Sequence, residues 1–186
     1  MSRIPRYSRA ELDDDQRRLY DSITGGTRAR NSFGVAEPGG GLGGPFNAML
    51  LHPPTGDALQ RLGAAIRFSG TLPGRAREIA ILMVAASVRS DFEQYAHEHI
   101  GLSLGLTESE VSALRDGTEL DLGDPEETAI ARVTRSLLDH GTLTDDEYAG
   151  ASAALGPGKL FELTTLVGYY RLIAMQLHVF GVRRPE

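Results

Sequence analysis

Three observations predict an all-α fold. Almost no stretch alternates apolar and polar residues with period two, several stretches carry apolar residues at helical spacing, and Ser/Thr-x-x-Glu pairs with Gly and Pro punctuation mark where those stretches begin and end. They are expected to give about seven to eight helices in a compact bundle.

Along the chain, Ser8 with Glu11 has the capping-box pattern, opening a first helix expected to reach about Ile23. Residues 25–44 form a glycine-rich loop ending GGGLGG, too long for a simple connection and expected to lie near a site. Pro53 and Pro54 break the chain, and residues 55–68 read as a second long helix with Leu59, Leu62, Ala65 and Ile66 inward. Gly70, Thr71 and Pro73 punctuate before a third helix, 73–88, apolar nearly all round after Glu78 and therefore expected to be buried. A fourth covers about 91–105. Thr107 with Glu110 caps a short helix that stops at Gly117, and an acidic linker covers 118–125. A helix follows over 126–140, Thr144 with Glu147 caps the next, and Gly156-Pro157-Gly158 reads as a turn. The last helix, 159–180, carries Leu160, Leu163, Leu166, Val167, Tyr170, Ile173, Ala174 and Leu177 on one stripe.

With 186 residues, 41% hydrophobic and 24% charged, a single soluble domain over 1–186 is expected, in which 1–44 is an N-terminal helix and loop and 45–182 the core bundle. A net charge of −6 argues against nucleic acid as a partner, since phosphate binding needs an excess of Lys and Arg. The longest apolar run, 79–88, is too short to span a membrane, and MSRIPRYSRAELDDD has no apolar signal core, so a cytoplasmic location is expected. The absence of cysteine removes disulfides, thiolate nucleophiles and redox pairs.

Ionisable residues in the expected core carry the functional expectation. Glu78 opens the apolar third helix, while Glu93 and His97, four apart, share one face of the fourth. A carboxylate beside an imidazole in a low-dielectric setting has a tuned proton affinity, as general acid–base work requires. A second carboxylate from the neighbouring helix could hold the imidazole in one tautomer. The plainer reading of such a pair is a surface contact worth roughly 0.2–0.5 kcal/mol. A metal site is the weaker alternative, because His99 lies only two residues past His97 and is turned away around the helix. His52 at the loop end is a loop residue or a pocket wall. His140 suits a helix C-terminus, His178 reads as a buried or interface histidine, and Tyr169 and Tyr170 read as core aromatics.

The ordered runs GGPFNAMLLHPP, LQRLGAAIRFSGTLPGRAREIAILMVA and FEQYAHEHIGLSLGL, closed by FELTTLVGYYRLIAMQLHVFGV, resemble the carboxymuconolactone decarboxylase family over residues 44 to 182. Its wider superfamily includes the alkylhydroperoxidase D type, with a Glu, a CxxC pair and a His on two adjacent helices. Glu78 and His97 match that Glu and His, whereas Ser90 and Glu93 stand at the two cysteine positions, so dithiol peroxide reduction is excluded. The decarboxylase branch typically has Glu where Glu93 stands; it usually has Trp where Gln94 stands and a small polar residue where His178 stands.

The resemblance implies an alkylhydroperoxidase D-like bundle that forms homo-oligomers (a dimer, trimer or hexamer). The family's name reaction removes carbon dioxide from a carboxylated unsaturated lactone without a cofactor. The expectation is therefore a cofactor-free lyase, decarboxylase-like or isomerase, with no metal, acting on a small carboxylated or lactone substrate. His97 would move the proton, Glu93 would orient it or act as second acid/base, and Glu78 would set the charge of the pair. Arg67, Ser90, His52 and Phe46 are the expected substrate-binding residues, Arg67 for an anionic group. A non-catalytic ligand-binding or assembly protein is the alternative, and a metal-dependent hydrolase a third reading.

Overall fold

The computed structural model describes residues 2–25, 40–118 and 120–184. Among them are eight α-helices and no strand: α1 Asp14–Gly25, α2 Phe46–Met49, α3 Pro53–Phe68, α4 Gly74–Ser87, α5 Asp91–Ser103, α6 Glu108–Asp116, α7 Pro125–His140 and α8 Asp145–Phe180. None is long and apolar enough to cross a membrane. The chain divides into two compact units, one of Met1–Ser69 with Met175–Glu186, the other of Gly70–Ala174.

In the first unit the Ser8 and Glu11 pairing forms, but it closes only a 3-10 turn, Arg9–Glu11. Leu12 is extended (φ −80°, ψ 147°) and buried, and α1 restarts two residues on. A second reciprocal cap starts it, with Gln16 N–H donating to Asp13 Oδ1 at 2.9 Å and Asp13 N–H to Gln16 Oε1 at 3.1 Å. The single helix expected from residue 8 is thus two, because burying Leu12 requires extended backbone there. A short helix at Phe46–Met49, not anticipated, packs with α1 against α3. His52 caps α3, its Nδ1 accepting from Thr55 N–H at 3.4 Å and lying 2.8 Å from Thr55 Oγ1.

The inward face of α3 is Gly56, Leu59, Gln60, Gly63 and Ile66, whereas Leu62 is 41% exposed and Ala65 also faces out. Close approach explains this correction. A Cβ on Gly56 would stand 2.3 Å from the Met49 carbonyl oxygen and 2.9 Å from Leu19 Cδ2, so backbone contact selects the glycine face. The glycine-rich loop lies largely outside the described residues.

In the second unit α4 is central, packing on α5, α6 and α7. It buries Ala76 and every residue from Glu78 to Ala85, as its all-round apolarity predicts. Ile79, Leu82 and Met83 form one cluster with Leu106, Val111 and Leu114, each such side chain contributing about 1.5–3 kcal/mol on burial. The expected caps form at Thr107–Glu110 and Thr144–Glu147, and Asp124 accepts from the Glu126 and Glu127 N–H groups at 2.7 and 3.1 Å. Gly117 and Gly141 end their helices in left-handed conformation. Residues 156–158, expected as a turn, do interrupt α8: the backbone is non-helical at Gly156 (φ 74°, ψ 161°), where two helices meet across a kink. Beyond it the expected stripe from Leu160 to Leu177 is buried.

The end of α4 has no glycine. Ser90 N–H donates to Ala85 O at 2.9 Å and Arg89 N–H to Ala86 O at 3.2 Å, a double closure that puts Arg89 at φ 53°. Among the described residues it is the one non-glycine with positive φ, at a backbone cost of roughly 1–2 kcal/mol.

Candidate active site

Glu78, Glu93 and His97 meet inside the second unit. Glu78 is 0%, Glu93 4% and His97 6% exposed. The apolar run that buries α4 carries Glu78 inward with it, and Ala96 and Gly101 leave the facing side of α5 slim. Glu78 Oε2 lies 2.5 Å from His97 Nδ1, and Glu93 Oε2 3.3 Å from His97 Nε2. A carboxylate only accepts, so the short contact is an Nδ1–H donating to Glu78. The Tyr170 ring packs edge-on to the imidazole at 5.1 Å and 90°, and Tyr169 packs on Tyr170 at 5.3 Å.

Burial is the largest single influence on the imidazole and lowers its proton affinity. The charge and hydrogen bond of Glu78, followed by those of Glu93, together outweigh it, so the His97 pKa is raised. The ring is therefore held toward the imidazolium, with a proton on each nitrogen aimed at a carboxylate. Since the carboxylates lie on opposite ring nitrogens, the three side chains do not converge on one point. Among the described residues no group of His, Cys, Asp or Glu could hold a metal ion.

Ser90 caps α5 and is 2% exposed; its hydroxyl makes no cap bond and no hydrogen bond among the described residues. Phe46, His52 and Arg67 belong to the first unit, Phe46 buried, His52 exposed and serving as a helix cap, Arg67 partly buried. The cation beside the trio is Arg77, whose Nε lies 3.6 Å from Glu78 Oε1 with its side chain 13% exposed. Sequence reasoning passed over Arg77, although adjacency to Glu78 at the entry of a buried helix was the available signal. From the sequence Tyr170 reads only as a core aromatic; its edge-on contact with His97 depends on the packing of α8. His99 is exposed, and His178, expected to be buried or at an interface, is exposed in this chain.

The carboxymuconolactone decarboxylase family model matches residues 53–136, which hold all three members of the trio. No curated protein matches the sequence. Among solved structures, the chain is similar to the alkylhydroperoxidase AhpD core of an uncharacterized peroxidase-related protein from Ralstonia eutropha JMP134, with 15% identity and a TM-score of 0.78, over 100% of this chain and 93% of that one. A protein of unknown function from Agrobacterium tumefaciens is similar at 16% identity and a TM-score of 0.66, over 77% and 99%. An uncharacterized peroxidase-related protein from Silicibacter sp. TM1040 is similar at 9% identity and a TM-score of 0.71, over 94% and 86%. At these identities the structures establish a shared helical fold and nothing of activity. With no cysteine in the sequence, thiol peroxidase chemistry does not come with that fold. Residues 53–136 thus match the carboxymuconolactone decarboxylase family model, within a chain of the alkylhydroperoxidase D-like helical fold.

Proposed function

We propose that the protein is a lyase or isomerase that acts on a small carboxylated or lactone substrate by acid–base chemistry, with no cofactor. One observation carries this reading: a buried imidazole with a carboxylate on each ring nitrogen. Glu78 anchors the ring through Nδ1 and holds its orientation. The Nε2 proton faces Glu93 across 3.3 Å, long enough to loosen and short enough to transfer. Glu93 then exchanges that proton with the substrate, replacing it at carbon as carbon dioxide leaves or as a double bond moves. Each proton passed through Glu93 leaves the imidazole neutral; in an isomerisation the proton lost from the substrate restores it by the same route, and in a decarboxylation, where the carboxylate leaves as carbon dioxide without a proton, one from solvent restores it. Arg77 adds a positive charge beside Glu78, which favours a carboxylated substrate in the neighbourhood of two acids.

The test is a substrate panel of carboxylated unsaturated lactones, followed by loss of lactone absorbance and by release of carbon dioxide. Glu93→Gln is expected to lower kcat by a factor on the order of 10²–10⁴, and His97→Ala to do the same. Turnover unchanged in both variants would sink the mechanism. A second reading, a ligand-binding or assembly protein without turnover, is favoured by the 0% exposure of Glu78, since a buried charge network can serve structure alone. It predicts saturable binding of the same lactones with no product. We also propose self-assembly, for which Phe161, 75% exposed, offers an apolar contact. Sedimentation reading one mass, that of the monomer, would refute it.

A further inference from the structure

Tyr170 reaches the trio from outside residues 53–136, the stretch that the family model matches. It lies on α8 past the kink at Gly156, in the same compact unit as Glu78, Glu93 and His97. The proposed reaction gives it no task.

The two carboxylates by themselves leave the imidazole one freedom. The torsion that turns a histidine ring has broad minima, so contacts rather than the side chain's own preference set the ring plane. The 2.5 Å bond from Nδ1 to Glu78 fixes one corner of the ring and lets it pivot there. The 3.3 Å contact from Nε2 to Glu93 is past the usual span of an N–H···O bond and holds the far corner weakly. Proton passage nevertheless requires Nε2–H to stay aimed at Glu93, because a small misplacement of reacting groups costs heavily in rate.

The Tyr170 ring supplies the missing restraint. It meets the imidazole at 90° with centroids 5.1 Å apart, the edge-on arrangement that aromatic pairs favour, and a tilt of either ring would abandon it. The phenol ring is itself held. Tyr170 is buried, Tyr169 packs edge-on to it at 5.3 Å, and Leu166, Ile173 and Ala174, one turn away on the same face of α8, are buried too. With His97 also buried, the ring occupies space that water would otherwise take, and water would compete with Glu93 for the proton.

We infer that Tyr170 is a positioning residue: its ring sets the plane of the His97 imidazole so that Nε2–H has Glu93 as its one outlet. The inference rests on the acid–base reading of the site, but its test does not need turnover. NMR of the full chain, isotope-labelled at histidine, follows the His97 Nε2 proton. In the wild type a sharp resonance in slow exchange with water is expected. Tyr170→Met fills much of the same space without a flat ring. It is expected to broaden that resonance into solvent exchange and to lower kcat on the order of 10-fold with KM little changed. Tyr170→Phe, which keeps the ring, is expected to recover both. Recorded well below each variant's Tm, the resonance reports the folded site and not its stability. An unaltered resonance in Tyr170→Met, its absence from the wild type, or its loss in Tyr170→Phe would each overturn the inference, and the last two hold even where Tyr170→Met does not fold. Lactones left untouched by the wild type would instead overturn the proposed reaction, with the spectra still deciding the part played by Tyr170.

Discussion

His97 Nδ1 lies 2.5 Å from Glu78 Oε2, a contact that joins residues 19 positions apart on successive buried helices. Its consequence for stability has a definite sign. The folded pKa of His97 is raised above the unfolded value of about 6.5. The stabilisation it supplies is therefore complete below about pH 6.5 and disappears as pH rises through the folded pKa. The stability gap between the wild type and His97→Gln is expected to be widest in acid and to close in alkali. Urea unfolding at intervals from about pH 5 to about pH 9 measures it. A gap that widens with pH would contradict the protonated imidazole.

Glu78→Gln keeps the shape and removes the charge. Leaving one member of a buried ion pair uncompensated costs about 3–5 kcal/mol. The His97 pKa is also expected to fall, because Glu78 supplies the largest of the influences that raise it. Denaturant midpoints and an NMR titration of the His97 ring read the two effects separately.

Two helical glycines should respond differently to alanine. At Gly56 the new Cβ meets backbone, the Met49 carbonyl oxygen at 2.3 Å. At Gly101 it meets the end of a side chain, Leu106 Cδ1 at 2.6 Å, which can turn aside. Gly56→Ala is expected to destabilise by about 1–3 kcal/mol and Gly101→Ala by less. Equal losses in thermal unfolding would show that Leu106 is as rigid as the backbone.

Gly156→Ala tests the kink in α8. With φ 74° and ψ 161°, Gly156 occupies a region open essentially to glycine alone. A loss of about 1–3 kcal/mol is expected, seen as a lower urea midpoint. A gain would mean that the two arms straighten into one helix.

How much of this could be read beforehand depends on what each feature rests upon. The i, i+4 spacing of Glu93 and His97 on a helix with a slim inner face announced their contact, and the apolar run around Glu78 announced its burial. The Thr107 and Thr144 caps were local patterns and formed locally. Three features were illegible because long-range contact decides them. Leu62 faces outward since α3 turns Gly56 to the Met49 backbone. The first helix breaks because Leu12 must be buried. Arg89 adopts a conformation that its residue type disfavours, which no propensity would select. Helix order points to Arg67 as an anion-binding cation, whereas adjacency to Glu78 points to Arg77.

The unit that opens the sequence also contains residues 175–186, and Arg3 N–H donates to Phe180 O at 2.8 Å. A ribosome adding about 5–20 residues per second holds those partners apart for many seconds after Arg3 emerges. The contiguous stretch 70–174 can mature first during synthesis, while the opening segment waits for the final helical turns. Clipping residues near Phe180 should therefore injure the amino-terminal portion before it touches the Glu78–His97 pair.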